Sequence, residues 1–176
     1  MNINDEALTA AQAQGLSLRL LSWYWAGHRD LPWRKTDNPY AIWVSEVMLQ
    51  QTQVKTVIPY YQRFLCLFPN VRALAEADLE DVLTVWSGLG YYSRARRLWE
   101  GANYILHRLK GEMPGDYEAL LEIPGIGDYT AGAIASIAFG QRVPAIDGNV
   151  KRVLSRLLAW DEPVETARSI RRFKAS

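Results

Sequence analysis

Cysteine is almost missing from this sequence: Cys66 stands alone in 176 residues. One thiol closes no internal disulfide, so a disulfide-stapled secreted scaffold is excluded. Nor can one thiolate hold a zinc ion or an iron–sulfur cluster by itself. No run approaches the ~18 uninterrupted apolar residues that a membrane span needs. The stretch from Met1 to Gln14 is polar and alanine-rich, without the basic start and apolar run of a signal peptide. An excess of one charge is absent too, since 20 Lys+Arg face 19 Asp+Glu for a net +1. A strongly basic nucleic-acid tail is thereby ruled out, although a local basic patch is not. What is present, 49% apolar and 22% charged residues, is globular composition and points to a soluble cytoplasmic protein.

Strand alternation, internal repeats and low-complexity linkers are likewise lacking, and helical spacing takes their place. Leu16, Leu20 and Trp23, with Leu18, Leu21 and Trp25, mark a helix that ends at Gly27. Asn38-Pro39 opens the next, with proline in the first turn, and it is expected to run through Ala41-Ile-Trp-Val-Ser-Glu-Val-Met-Leu-Gln-Gln51. Val54 to Phe68 contains Pro59, which predicts a kink or a short early turn. Leu79–Trp86, Tyr91–Leu109, Asp116–Glu122, Asp128–Phe139 and Val150–Trp160 follow, separated by glycine and proline breaks. Val164 to Ala175 reads as the start of an amphipathic helix bearing Arg168, Arg171, Arg172 and Lys174. Nothing follows for it to pack on, so an all-α fold with an incomplete last domain is expected.

Three constellations carry chemistry. In Leu120-Leu-Glu-Ile-Pro-Gly-Ile-Gly-Asp-Tyr-Thr-Ala-Gly-Ala133, Pro124 stops one helix, and Gly125 and Gly127 allow a tight reversal and close backbone approach. The helix that follows presents its N–H groups at its positive end, which can receive a phosphate without a cationic side chain. A plain helix connector has the same Pro-Gly-x-Gly core, but the longer flanking pattern favours a helix–hairpin–helix clamp. Arg94, Arg96 and Arg97 cluster, as do Lys151, Arg152 and Arg156, in agreement with such a clamp, although each group alone could instead be a solvated helix face. Glu46 lies in a helix that is apolar on nearly every side. Desolvation there would keep a proton on it near neutrality, as a general acid requires. Asp147, in Ala-Ile-Asp-Gly-Asn-Val, is either an ordinary N-cap or an ionised carboxylate beside a developing positive charge. Two carboxyls in unlike environments suit cleavage of a glycosidic bond through an oxocarbenium-like state, and periodicity alone does not choose.

With those residues placed, the chain from about Leu31 to Trp160 resembles the adenine DNA glycosylases of the MutY type, within the endonuclease III-like superfamily. The resemblance rests on Leu31-Pro-Trp-Arg34, Trp43-Val-Ser-Glu-Val-Met-Leu-Gln-Gln-Thr52, Trp86-Ser-Gly-Leu-Gly-Tyr-Tyr-Ser-Arg-Ala-Arg96, the hairpin, and Asp147-Gly-Asn-Val-Lys-Arg-Val153. It implies excision of adenine mispaired with 8-oxoguanine or guanine in double-stranded DNA, after the base is flipped out. Carried over, Glu46 would protonate the adenine ring and Asp147 would stabilise the positive sugar, with Tyr129 and Asn149 in support. Trp33 and Arg34 would line the base pocket. Gln51, Thr52, Leu89 and Tyr91 would enter the base stack or contact the opposite strand, and Gly125, Gly127 and Thr130 would hold the backbone.

The same resemblance implies a six-helix domain over 29–138, with its hairpin near 120–133. A partial second domain would combine 1–28 with 139–176. Bifunctional relatives carry lysine where Tyr129 stands, so no Schiff base is available and a monofunctional enzyme is expected. The family's [4Fe–4S] cluster needs four cysteines in C-x6-C-x2-C-x5-C spacing. They would have to lie beyond Ser176, so no cofactor and no metal site is assigned to this chain. A further acidic pocket residue and a MutT-like domain of the family are also without counterparts here. A monomer of bacterial, nucleoid-associated location is expected, with no membrane contact. An endonuclease III-like glycosylase/lyase and an inactive DNA-binding remnant are the alternatives, and the run Gln50-Gln51-Thr52 and Tyr129 count against the first.

Overall fold

The computed structural model describes residues 9–174. The polar start at Met1 and the expected end of the last helix at Ala175 lie outside them. The described residues are helical with no strand, and they divide into two compact units, Leu31–Ala145 and a smaller one from residues up to Asp30 together with Ile146 onward.

The larger unit contains α2 (Pro39–Leu49), α3 (Val54–Leu67), α4 (Val71–Ala75), α5 (Leu79–Trp86), α6 (Ser93–Arg108), α7 (Tyr117–Leu121) and α8 (Asp128–Phe139), after a 3-10 turn at Pro32–Arg34. α2 is its centre. Asn38 caps it by accepting from the amides of Tyr40 and Ala41, and Pro39 presets the first turn. Eight of its residues are buried, among them Ile42, Trp43, Val44 and Met48, because α3, α6 and α8 all pack against it. A helix surrounded in this way has no polar face to display, which explains its apolar composition all round. Phe64 and Trp86, edge to face at 5.9 Å, extend the same core through α3 and α5.

Glycine allows two of the close approaches. A Cβ on Gly101 would stand 2.7 Å from the Pro124 carbonyl and 2.8 Å from Trp43, and one on Gly132 would stand 2.5 Å from the Pro144 carbonyl. The second contact ties residues 140–145 to α8, so the larger unit runs to Ala145 and not to the expected 138. The structure differs from the sequence reading at other points. α2 ends at Leu49, before Gln51; α3 runs unbroken through Pro59; and the five-residue α4 and the 3-10 turn were not expected.

The smaller unit contains α1 (Ala10–Gly27), α9 (Gly148–Leu157) and α10 (Ala167–Lys174). α1 begins before the expected Leu16, because Thr9 and Gln12 form a reciprocal capping box. Its apolar residues are exposed, Trp23 to 72%. In its C-terminal part Trp160 meets Phe173 at 6.1 Å and donates from Nε1 to Ser169 Oγ at 2.9 Å.

Candidate active site and nucleic-acid interface

The hairpin is built as its sequence demands. α7 ends at Leu121, and Gly125 adopts φ +84°, a left-handed conformation that side chains disfavour. Its missing Cβ would stand 2.9 Å from Arg97 Cβ, so the turn is pressed against α6. Gly127 behaves differently. It is the N-cap of α8 in extended backbone, with no protein atom where a Cβ would point. Open space therefore lies in front of the first amides of α8, where a phosphate oxygen has room to approach. A cavity of about 380 Å³ opens there, lined by Gly125, Gly127, Tyr129 and Thr130 from the hairpin. Gln50 and Val47 line it from α2 and its end, and Ser93 and Arg97 from α6.

Glu46 is half-buried in α2 between Ser45 and Val47, both buried. It is the one carboxylate on this central helix. Ser45 turns its hydroxyl back to the Ile42 carbonyl at 2.7 Å. The packing of α2 on α8 makes the helix of Glu46 and that of Tyr129 neighbours. Asp147 and Asn149 belong to the smaller unit. Asp147 caps α9, accepting from the Val150 amide at 2.8 Å, and its other oxygen accepts from Asn149 Nδ2 at 3.0 Å. Asn149 Oδ1 in turn accepts from Arg152 Nη2 at 2.8 Å. The capping geometry leaves the carboxylate half-buried and oriented from both sides.

Three expected contact residues prove to be largely internal. Trp33 is 8% exposed and stands edge-on to Tyr61 at 5.4 Å, so its ring is part of the core. Arg34, beside it, is exposed. Leu89 is buried among core residues and forms the base of its loop, not an exposed prong. Thr130 is buried too, although it reaches the cavity wall. By contrast Gln51 and Tyr91 are exposed, and Thr52 is half-exposed.

Arg94 is the residue that sequence reasoning placed wrongly. It is not on a solvated face: it is 8% exposed. Its Nη1 donates to the carbonyls of Val47, Met48 and Gln50, and its Nη2 to Thr52 Oγ1, Leu89 O and Gly90 O. The guanidinium also lies over the rings of Trp86 and Tyr91, at 5.4 and 5.6 Å. Burial pushes it below the ordinary arginine value, and Tyr91 opposes that shift. Arg96 and Arg97 remain exposed. In the smaller unit Lys151 pairs with Glu165 at 2.7 Å.

Cys66 is exposed on α3, and among the described residues no three His, Cys, Asp or Glu side chains gather as a metal site. These residues do not fit a four-thiolate cluster. No helix among the described residues is long and apolar enough to cross a membrane.

An all-helical unit whose hairpin turns Pro-Gly-x-Gly into an open helix N-terminus has the architecture of the helix–hairpin–helix base-excision glycosylases. The chain belongs to the HhH-GPD superfamily of base excision DNA repair proteins, whose sequence profile matches residues 44–175. It is 56% identical over 149 residues to an adenine DNA glycosylase of Mus musculus, covering 80% of this chain and 29% of that protein. The adenine DNA glycosylase of Buchnera aphidicola subsp. Baizongia pistaciae is 49% identical over 138 residues, covering 78% of this chain and 39% of the relative. The chain thus spans well under half the length of these curated relatives. Its fold is also similar to a structure of a non-covalent endonuclease III–DNA complex, with TM-score 0.76 at 25% identity, covering 93% of this chain and 77% of that one.

Proposed function

We propose that this chain carries the catalytic part of a monofunctional adenine DNA glycosylase. It would hydrolyse the N-glycosidic bond of adenine mispaired with 8-oxoguanine or guanine in duplex DNA. The observation that carries the reading is Glu46, a half-buried carboxyl on the fully packed α2, within the stretch shared with adenine DNA glycosylases of more than one kingdom. A carboxyl held in that position, when it carries its proton, could pass it to a leaving base. As the bond from sugar to adenine lengthens, the electron pair leaves with the protonated base and positive charge grows on the sugar. Asp147, fixed by the Val150 amide and Asn149, would supply the negative charge that stabilises it, and water completes the hydrolysis. The hairpin amides would hold a backbone phosphate while the base is flipped. Tyr129 offers no amine, so the reaction would stop at an abasic site. Action as a monomer on nucleoid DNA in a bacterial cytoplasm is part of the same reading.

Single-turnover excision on a duplex with one adenine opposite 8-oxoguanine tests it, with strand breakage scored before and after alkali. Alkali-dependent breakage by the parent is expected, and Glu46→Gln should lose at least about 100-fold in rate while still binding the duplex. Equal rates for parent and variant would remove Glu46 from the mechanism. Breakage without alkali would favour the glycosylase/lyase alternative.

A further inference from the structure

We propose that Arg94 is a positioning residue that locks the turns carrying Gln51 and Tyr91 into one rigid two-pronged probe of the duplex. The inference rests on the glycosylase reading above for what the probe enters, but the lock itself stands on geometry.

Four described non-glycine residues have left-handed backbone, and they fall into two pairs. Lys110 and Ala159 (φ +59° and +47°) follow helix ends where returning backbone bonds satisfy the last carbonyls, Gly111 N to Ile105 O at 2.9 Å and Trp160 N to Ser155 O at 2.8 Å. That is ordinary helix termination. Gln51 and Tyr91 (φ +58° and +49°) are the other pair. After α2 no such return over five or six positions occurs. Instead the Arg94 guanidinium donates to the carbonyls of Val47, Met48 and Gln50, bringing a cation to the negative end of the helix. The other edge of the same planar group holds Thr52, Leu89 and Gly90. Two turns some 40 residues apart in sequence are therefore clasped by one side chain whose two terminal nitrogens are fixed in a plane. The second turn is braced further. Tyr60 donates to the Ser87 carbonyl at 2.9 Å, occupying the space a Cβ on Gly88 would need, and Trp86 Nε1 donates to Gly90 O at 3.2 Å. Both prongs stay exposed while their bases are buried or bonded.

A pair of side chains fixed in this way needs no ordering when it meets DNA, so it can push into a stack whose opening is the costly step. Lysine keeps the charge at this position but cannot reproduce the fork.

The test uses Arg94→Lys and Arg94→Met in the full chain, with thermal melting as the check of the global fold. Amide hydrogen exchange should quicken about tenfold at 50–53 and 88–92 together, while amides of Phe64, Leu98 and Ile105 keep the parent's rates. A duplex with 2-aminopurine opposite 8-oxoguanine should brighten on binding the parent and fail to brighten with Arg94→Lys, at a Kd within about threefold. Excision of adenine opposite 8-oxoguanine should slow about 100-fold in a continuous duplex, yet recover to near the parent rate when the pair sits in a short mismatched bubble that is already unstacked. Unchanged exchange at both turns, or equal slowing on duplex and bubble, overturns the proposal. If the parent excises adenine from neither substrate, the glycosylase reading falls. Exchange and 2-aminopurine brightening then decide the role of Arg94 by themselves.

Discussion

The two units place carboxylates by different physics. In Leu31–Ala145, Glu46 is positioned by burial, because α2 is enclosed by α3, α6 and α8 and has nowhere to shift. In the smaller unit neither α1 nor α9 buries a residue, and Asp147 is positioned by two short hydrogen bonds within its own helix start. A packed core transmits strain over its whole extent and resists local rearrangement. A capped helix end is set by the few residues around it. The group expected to give a proton thus depends on the entire larger unit, whereas the group expected to carry charge depends on its next three residues.

The largest effect should come from Trp43→Ala. The indole is fully buried at the crossing of α2 with α6 and fills the space beside Gly101. Removing it leaves a cavity among residues that cannot collapse, at about 3–5 kcal/mol. Chemical denaturation followed by helical circular dichroism would measure it. A loss below about 1 kcal/mol would mean that α2 is not the rigid centre, and the contrast between the units would fail.

Alkali should act next, and on the same unit. Burial raises the phenols of Tyr40 and Tyr61 above their ordinary value near 10, and Tyr40 donates to the Phe68 carbonyl at 2.8 Å. The folded chain therefore keeps these protons at a pH where the unfolded chain has lost them. The stability linked to them is complete below about pH 10 and falls as pH rises beyond it. In an alkaline titration, tyrosinate absorbance from these two residues should emerge together with loss of helical signal. Tyrosinate from both in a fully helical protein would show that their surroundings open without unfolding.

Asp147 allows a smaller and sharper separation of roles. Asn keeps the cap to the Val150 amide but cannot accept from Asn149 Nδ2, so Asp147→Asn should cost less than Asp147→Ala, which should cost about 0.5–2 kcal/mol. Both should lose excision if the carboxylate charge matters to the reaction. Full activity in Asp147→Asn would reduce Asp147 to the N-cap that its sequence position also suggests.

These contrasts were unevenly legible in the sequence. Asn38-Pro39 announced α2 because the cap and the proline act within three residues, and Pro124-Gly125 announced the hairpin for the same reason. The start of α1 was legible as well, in Thr9-x-x-Gln12, but its alanines carry no periodic signal and apolar spacing begins only at Leu16. α4 was hidden because five residues are too short to show a period. Arg94 was the costliest miss. In Arg94-Ala-Arg96-Arg97 it looks like its exposed neighbours, and its partners Val47, Met48 and Gln50 lie more than 40 positions away. Only tertiary contact distinguishes a buried clasp from a basic surface, because the local partners Leu89 and Gly90 accept through backbone carbonyls that carry no side-chain signal.

The smallest effect expected is on α1, and it bears directly on the comparison. Leu18 is 62% exposed and Trp23 72%, so most of their apolar surface is already in water and little burial remains to be lost. Glutamine has nearly the helix propensity of leucine, and the capping box of Thr9 and Gln12 lies a full turn or more before either site. Leu18→Gln and Trp23→Gln should each therefore change unfolding stability by no more than about 0.5 kcal/mol. A loss several times larger for either variant, measured in the same denaturation experiment as Trp43→Ala, would show that this face is buried in solution. The smaller unit would then draw on a hydrophobic core after all, and Asp147 would be held by more than its own helix start.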